Sequence, residues 1–113
     1  MLIAITLLFA VACLVPAAGK LFALPQMQAS AVHFEIPWSR YRLIGVAELA
    51  AAAGILAGLA VPALGIAAAM GMTVLLGVAL AVHRQVGDSP RDAMPAFVAL
   101  GLSVIYLALT FIR

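Results

Sequence analysis

The sequence predicts an all-α integral membrane protein, built as a four-helix bundle with a short interfacial helix between the first and second long helices. Of the 113 residues, 67% are hydrophobic and only 9% are charged, and the mean hydropathy is +1.26, well above the range of soluble domains. The apolar residues also fall into four long runs, and about 20 such residues are needed to cross the hydrocarbon core as a helix. We therefore treat residues 1–113 as a single transmembrane domain.

Charges, prolines and turn residues divide the chain into predicted long helices at about residues 2–24, 41–60, 62–82 and 90–112. The first is interpreted as a spanning helix and not as a cleaved signal, because no Lys or Arg precedes its apolar run. Pro62 suits a first helical turn, so the second and third helices are predicted to form a tight hairpin. Gly87 ends the third helix, and Ser89-Pro90-Arg91-Asp92 is typical of a capping box that opens the fourth.

The connection over residues 25–37, PQMQASAVHFEIP, is the least apolar part of the chain. Met27, Ala31 and Phe34 recur in it at helical spacing, which favours a short amphipathic helix at the membrane interface over an irregular loop. Trp38 and Tyr41 follow directly and are aromatic residues of the kind found at the level of the lipid headgroups.

The basic residues indicate an orientation. One side of the predicted membrane domain carries the 25–40 and 83–92 connections, whereas the other carries the amino terminus and Arg113. Most of the basic residues belong to the first side: Lys20, Arg40, Arg42, Arg84 and Arg91. By the positive-inside rule this side is cytoplasmic, so both termini are expected outside.

Composition also excludes some classes of function. The formal net charge of +2 comes with only 4 carboxylates, and no basic patch with interleaved aromatics indicates nucleic acid as a partner. Cys13 is the only cysteine, so redox chemistry would need a borrowed cofactor or a partner protein. His33, Glu35 and His83 match no known ligand spacing, and we predict no metal.

Glu48 is a single carboxylate in the apolar stretch GVAELAAAAGILAGLA, residues 45–60. It lies roughly 10 Å below the basic-side interface at 1.5 Å of rise per residue. A charge at that depth is costly in lipid, so the side chain must face protein or water. Small or apolar side chains share its helical face, which fits either a tight helix contact or a cavity: Gly45, Ala51, Ala52 and Ile55.

Lys20, Glu48 and His83 are the predicted residues of a polar pocket. Lys20 either pairs with Glu48 or snorkels to the headgroups, and a protonated, unpaired Glu48 is a third alternative. His83 either bonds Glu48 or a bound molecule, or interacts as a cation with its helix end. Arg42 and Tyr106 are secondary candidates. Tyr106 belongs to a polar stripe typical of bonds between helices: Ser103, Tyr106 and Thr110.

Three short motifs lie in a fixed order along the chain: Ala18-Gly19-Lys20-Leu21, then Ile44-Gly45-Val46-Ala47-Glu48-Leu49, then Ala81-Val82-His83. With the proline-bounded connector, they resemble the DoxX-like family of small four-helix bacterial membrane proteins over nearly the whole chain. The resemblance implies a bacterial inner-membrane location, and Lys20, Glu48 and His83 as the family's polar positions. The family takes its name from a subunit associated with a terminal quinol oxidase and thiosulfate:quinone oxidoreductase, but most members have no assigned activity. This chain lacks a cysteine pair for thiol chemistry, which argues against a direct redox role.

Three functions follow as hypotheses. In the first, the polar pocket binds a quinone or a lipid, and the protein is an accessory of a membrane redox or envelope system. In the second, Lys20 and Glu48 only hold helices together in a structural small subunit or oligomeric scaffold. In the third, Glu48 moves protons in a transporter or membrane isomerase, but the chain has no inverted repeat, and we expect no independent catalytic activity. The expected partners are the lipid bilayer and either further copies of this chain or a larger membrane redox complex. The cofactor expected under the first hypothesis is a quinone.

Overall fold

The computed structural model describes residues 1–112, so Arg113, which entered the orientation argument, lies outside the described residues. Residues 1–112 form five helices and no strand: α1 Leu2–Leu21, α2 Pro25–His33, α3 Trp38–Ala57, α4 Pro62–Gln85 and α5 Met94–Ile112. The all-α prediction is confirmed. Within this part of the chain three helices, α1, α4 and α5, are long and apolar enough to cross a membrane, judged by length and composition. The helix α3 is also long, but it carries Arg40, Arg42 and Glu48.

Each long helix packs against two others: α1 and α4 both contact α3 and α5. Phe9 of α1, Ile55 of α3 and Tyr106 of α5 are fully or almost fully buried between them, and the rings of Phe9 and Tyr106 lie 5.7 Å apart. The outward faces expose large apolar side chains such as Val74 and Phe111. The shared core holds the helices together, while the outer surface suits lipid.

Glycines bring α3 and α4 into close contact. A Cβ added at Gly54 would lie 2.8 Å from Cβ of Ala68, and one added at Gly58 would lie 2.7 Å from Cα of Gly65. The Gly54-xxx-Gly58 pattern therefore serves helix packing within the chain. The tight hairpin predicted at Pro62 is present, because α3 ends at Ala57 and α4 begins at Pro62.

Three helices end in the same hydrogen-bonded motif. At the end of α4 the N–H of Asp88 donates to the carbonyl of His83 at 2.9 Å and that of Gly87 to Arg84 at 3.1 Å, with Gly87 at φ 82°. This pair of bonds defines a Schellman motif, which needs a left-handed residue and usually uses glycine. The helices α1 and α2 end in the same way, with Ala23 at φ 53° and Glu35 at φ 58°. The predicted stop at Gly87 is correct, but α4 runs to Gln85 and α1 ends at Leu21.

Two other helix boundaries differ from the predictions because of prolines. The helix α3 begins at Trp38 and not near residue 41, since the carbonyl of Pro37 accepts the N–H groups of Arg40 and Tyr41. The helix α5 begins at Met94 and not near residue 90. Ser89 and Asp92 do form the reciprocal bonds of a capping box, but they close a turn ahead of the helix. Pro95 lacks an N–H and disfavours helix before it, whereas in the first turn of a helix the missing N–H has no cost, which fits a start at Met94.

Candidate functional site

Lys20 and Glu48 form a buried ion pair between α1 and α3. The Lys20 Nζ atom lies 2.7 Å from Oε1 of Glu48, and the two side chains are only 8% and 9% exposed. Of the alternatives that the sequence leaves open for Lys20, the structure has pairing and not snorkelling. Lys20 lies in the last turn of α1, where a cation also interacts favourably with the helix dipole.

The small face of α3 makes this pairing possible. Gly45 lies one turn before Glu48, and a Cβ added there would come within 2.7 Å of Cβ of Lys20 and 3.4 Å of the carbonyl oxygen of Ala17. The two helices therefore approach closely at this level. The buried residues of α3 include the ones predicted to share the face of Glu48: Gly45, Ala51, Ala52 and Ile55.

Tyr41 and α2 enclose the ion pair on one side. The Lys20 Nζ atom lies 5.0 Å from the centroid of the Tyr41 ring, within the range of a cation–π interaction. The Tyr41 hydroxyl donates a weak hydrogen bond to the sulfur of Met27 in α2 at 3.9 Å. Met27 in turn packs on Gly19, where an added Cβ would lie 3.0 Å from its side chain. The side chain of Met27 therefore bridges the end of α1 and the ring that covers Lys20.

The carboxylate of Glu48 is incompletely satisfied. Its Oε1 atom is buried, and among residues 1–112 no donor meets it in hydrogen-bond geometry, although Nζ lies at ion-pair distance. The contact with Lys20 is an ion pair at hydrogen-bond distance, although its angles depart from those of an ideal hydrogen bond. Buried polar atoms normally have a hydrogen-bond partner. The Lys20 ammonium is the group that compensates Oε1 among the described residues.

His83 belongs to a second polar cluster. Its Nδ1 atom lies 2.6 Å from Oδ2 of Asp88, while Nε2 of His33 lies 2.7 Å from Oδ1 of the same carboxylate. Among the described residues no hydrogen bond joins His83 to Glu48. The structure therefore brings two of the three predicted pocket residues into contact, and it gives His83 a different partner.

Asp88 is the functional residue that the sequence reasoning missed. The hydrogen bonds from His33 and then from His83 hold the pKa of its carboxyl below the usual value, so the group is ionised at neutral pH and accepts from both rings. Gly87 is the sequence feature that could have indicated the position of Asp88. A glycine that ends a helix in a Schellman motif turns the next residue back toward the last helical turn, where His83 lies.

Aromatic rings connect the two clusters. The ring of Phe34 lies edge-on to His83 at 4.9 Å and 6.5 Å from the ring of Tyr41, which covers Lys20. A path of ring contacts thus runs from His83 to the ion pair through Phe34 and Tyr41. Both clusters lie on the side of the molecule to which α2 is attached.

The secondary candidates have structural contacts. Arg42 donates from Nη2 to the carbonyl of Leu21 at 3.1 Å, at the end of α1. Tyr106 is buried against Phe9 and Gly65 in the core, near the turn between α3 and α4. Within its polar stripe, Ser103 bonds Thr73 of α4 at 2.7 Å and so joins two helices as predicted, whereas Thr110 donates to the carbonyl of Tyr106 within α5.

Two surface grooves, each of about 490 Å³, lie beside these clusters. One follows the ends of α2 and α4 and includes His33, Glu35 and Gln85 in its lining. The other is apolar and runs between α3 and α4. Neither groove includes Lys20 or Glu48, so a ligand could reach the ion pair only if a neighbouring element moved. Among residues 1–112 no three His, Cys, Asp or Glu side chains gather as metal ligands.

These features define a small all-α membrane protein with three span-capable helices and a buried Lys–Glu pair. The sequence model of the DoxX-like family matches residues 4–108. The chain therefore belongs to the DoxX-like family, as the resemblance of its motifs indicated. No curated protein and no solved structure matches it.

Proposed function

We propose that α1, α3, α4 and α5 form a four-helix bundle across the bacterial inner membrane. The support for α3 as a fourth span is its 20-residue length, about 30 Å of helix, and its packing against both α1 and α4. Arg40 and Arg42 lie in its first turns, at headgroup level. The charge of Glu48 is balanced by Lys20, so α3 carries no unpaired charge at depth.

The short helix α2 lies at the interface in this proposal. Its residues are largely exposed, and Trp38 and Tyr41 follow it. The side that carries α2 also has most of the basic residues and faces the cytoplasm under the positive-inside rule.

We further propose that the Lys20–Glu48 pair binds a lipid-soluble small molecule with carbonyl or hydroxyl oxygens. A quinol or quinone fits this chemistry, and the protein would be an accessory of a membrane redox or envelope system. The observation that carries the proposal is the burial of an ammonium and a carboxylate 2.7 Å apart, with side chains only 8% and 9% exposed. An ammonium group offers three N–H donors and a carboxylate accepts, so the pair can hold either redox form of such a molecule.

Binding can be measured through Trp38. It is the only tryptophan, and its ring lies 5.9 Å from that of Tyr41, so a bound quinone should quench its fluorescence. A short-tailed benzoquinone and its quinol, added to the protein in lipid nanodiscs, are expected to give saturable quenching for quinone and competition by quinol. Glu48→Gln should weaken binding by about tenfold, the effect of losing a hydrogen bond to a charged group. Asp92→Asn is the control, because it removes a carboxylate that bonds Ser89 and lies outside the ion pair.

The tight packing around the pair favours a second candidate, a purely structural role in a small subunit or oligomeric scaffold. Gly45 packs directly against Lys20 with no room for an added Cβ between them, and the ion pair joins α1 to α3. Removing one partner of a buried ion pair costs about 3–5 kcal/mol, whereas replacing both by apolar residues is often neutral. Glu48→Leu should therefore lower the free energy of unfolding, and Lys20→Met combined with Glu48→Leu should restore it.

The double variant separates the two candidates, because its fold is expected to be intact. If it folds and no longer binds the quinone, the pair is a binding site. If saturable quenching is absent from the wild type, or unchanged in the double variant, the binding proposal is wrong and the structural role is favoured.

A further inference from the structure

We infer that α2 is a lid over the Lys20–Glu48 pair, and that Asp88 is the latch that holds it closed by bonding His33 and His83 together. A role of α2 in admitting a ligand rests on the proposed binding function. The opening movement of α2 rests only on the contacts that this helix makes within the fold. Three observations carry it: where α2 lies, how weakly it is attached, and where the backbone is strained.

The position of α2 makes it a cover. Its Met27 packs on Gly19, next to Lys20, and accepts from the hydroxyl of Tyr41, whose ring lies over the Lys20 ammonium. Phe34, which directly follows the helix, packs against the same ring. If α2 moved away, Tyr41 would lose these two contacts, and the ion pair would become accessible from the interface.

The attachment of α2 to the bundle is weak. Ala31 is the one residue of this helix that is buried, and α2 is only nine residues long. Elements with few buried apolar contacts open at a lower free energy than the core does. The long helices, by contrast, share a continuous buried cluster that includes Phe9, Ile55 and Tyr106. Local opening of α2 therefore need not disturb the bundle.

Strained backbone lies on both sides of α2. Within residues 1–112 the non-glycine residues with positive φ are Ala23 and Glu35, one in each connection to the neighbouring helices. The left-handed region is unfavourable for residues with a Cβ and persists only where the surroundings enforce it. Both are the left-handed residues of the Schellman motifs that end α1 and α2. A change of φ at either one would swing α2 at the cost of that motif's backbone hydrogen bonds, so these are the two hinge positions.

Asp88 closes the lid. The Schellman motif at Gly87 fixes Asp88 beside His83 through the 2.9 Å backbone bond, and its carboxylate reaches across to His33, 55 residues away in sequence. His33 is the last residue of α2, so this bond ties the end of the lid to α4. The edge-on contact of Phe34 with His83 reinforces the same junction.

Hydrogen–deuterium exchange of the full chain in lipid nanodiscs tests the latch. Asp88→Ala removes the acceptor of both rings, and exchange over residues 25–33 should accelerate by about tenfold or more, as for loss of a charge-assisted hydrogen bond. Exchange in α5, and in α4 before its last turns, should be unchanged. Asp92→Ala is the matched control. It removes a carboxylate from the same loop, but that carboxylate bonds Ser89 and not α2. His33→Ala should reproduce the effect from the α2 side, without altering the loop.

The inference is overturned if exchange over 25–33 is the same in Asp88→Ala as in the wild type. It is also overturned if all helices accelerate equally, or if His33→Ala has no effect on α2. The gate is measured separately by stopped-flow quenching of Trp38, where Asp88→Ala should accelerate both association and release of the quinone. Faster α2 exchange with no quinone binding in the wild type would refute the proposed function and leave the lid. Binding with unchanged rates and unchanged exchange would refute the lid alone.

Discussion

Glu48 is tolerated inside an apolar helix because the Lys20 ammonium lies 2.7 Å away. The absence of a side chain at Gly45 gives the aliphatic part of Lys20 room to pack against α3. An unpaired ion at this depth would cost several kcal/mol. The attraction between the two charges offsets that cost only at contact distance, and a contact distance requires that α1 and α3 approach closely. Gly45 is therefore as necessary to the pair as the two charged residues.

Gly45→Ala tests this requirement. The new methyl group would lie 2.7 Å from Cβ of Lys20, so one helix must shift, and we expect the free energy of unfolding to fall by about 1–3 kcal/mol. Denaturant titration in detergent micelles measures the change.

Gly77→Ala is the matched control for that substitution. It lies in a helix, and nothing comes within 4 Å of an added Cβ. The higher helix propensity of alanine should leave it neutral or stabilise it by up to about 1 kcal/mol. Equal effects at Gly45 and Gly77 would mean that close packing at Lys20 is not required.

At the scale of elements, α2 differs from the other helices in depending on polar contacts at its end. Its last residue, His33, is held by Asp88, and Asp88 is held by the turn at Gly87. Such contacts respond to pH, whereas the apolar contacts between the long helices do not. The attachment of α2 should therefore have a pH dependence of its own.

The direction of that dependence follows from Asp88. The hydrogen bonds from His33 and His83 lower its pKa in the folded protein, so the unfolded chain binds the proton more readily. The stabilisation is present above the usual carboxyl pKa of about 3.9 and is lost as the pH falls through the lowered value. Relative to Asp88→Asn, the wild type should protect α2 from exchange at pH 6, and the difference should shrink below about pH 4. A difference that grows as the pH falls below about 4 would contradict the assignment.

At the scale of the whole molecule, the ring of four long helices implies a topology. If α3 crosses the membrane, the α3–α4 turn lies on the opposite side from α2 and from the loop that carries Asp88. The apolar outer faces of α1, α4 and α5 are then covered by lipid. Under the proposed orientation, the basic residues near α2 face the cytoplasm.

Cysteine labelling in spheroplasts tests this topology. In a Cys13→Ala background, Ser39→Cys and Ala60→Cys place thiols at exposed positions at either end of α3. A membrane-impermeant maleimide should label Ala60→Cys in intact spheroplasts and Ser39→Cys only after permeabilisation. Labelling of both from the outside would mean that α3 does not span, and labelling in the reverse pattern would mean that the orientation is inverted.

The sequence by itself was sufficient for the class of the protein, its family, the stop at Gly87 and the inward facing of Glu48. These depend on composition, on short motifs and on helical periodicity, which are properties of one segment at a time. Periodicity assigns each residue a face and a depth on its own helix.

Only the tertiary structure decided the partners. Lys20 and not His83 meets Glu48, because the end of α1 packs beside Gly45 of α3. His83 is instead bonded to Asp88, whose carboxylate also bonds His33, a residue far away in sequence. Which faces meet depends on how the helices rotate and pack against one another. That choice follows from the fit of many side chains at once, and no single segment contains it.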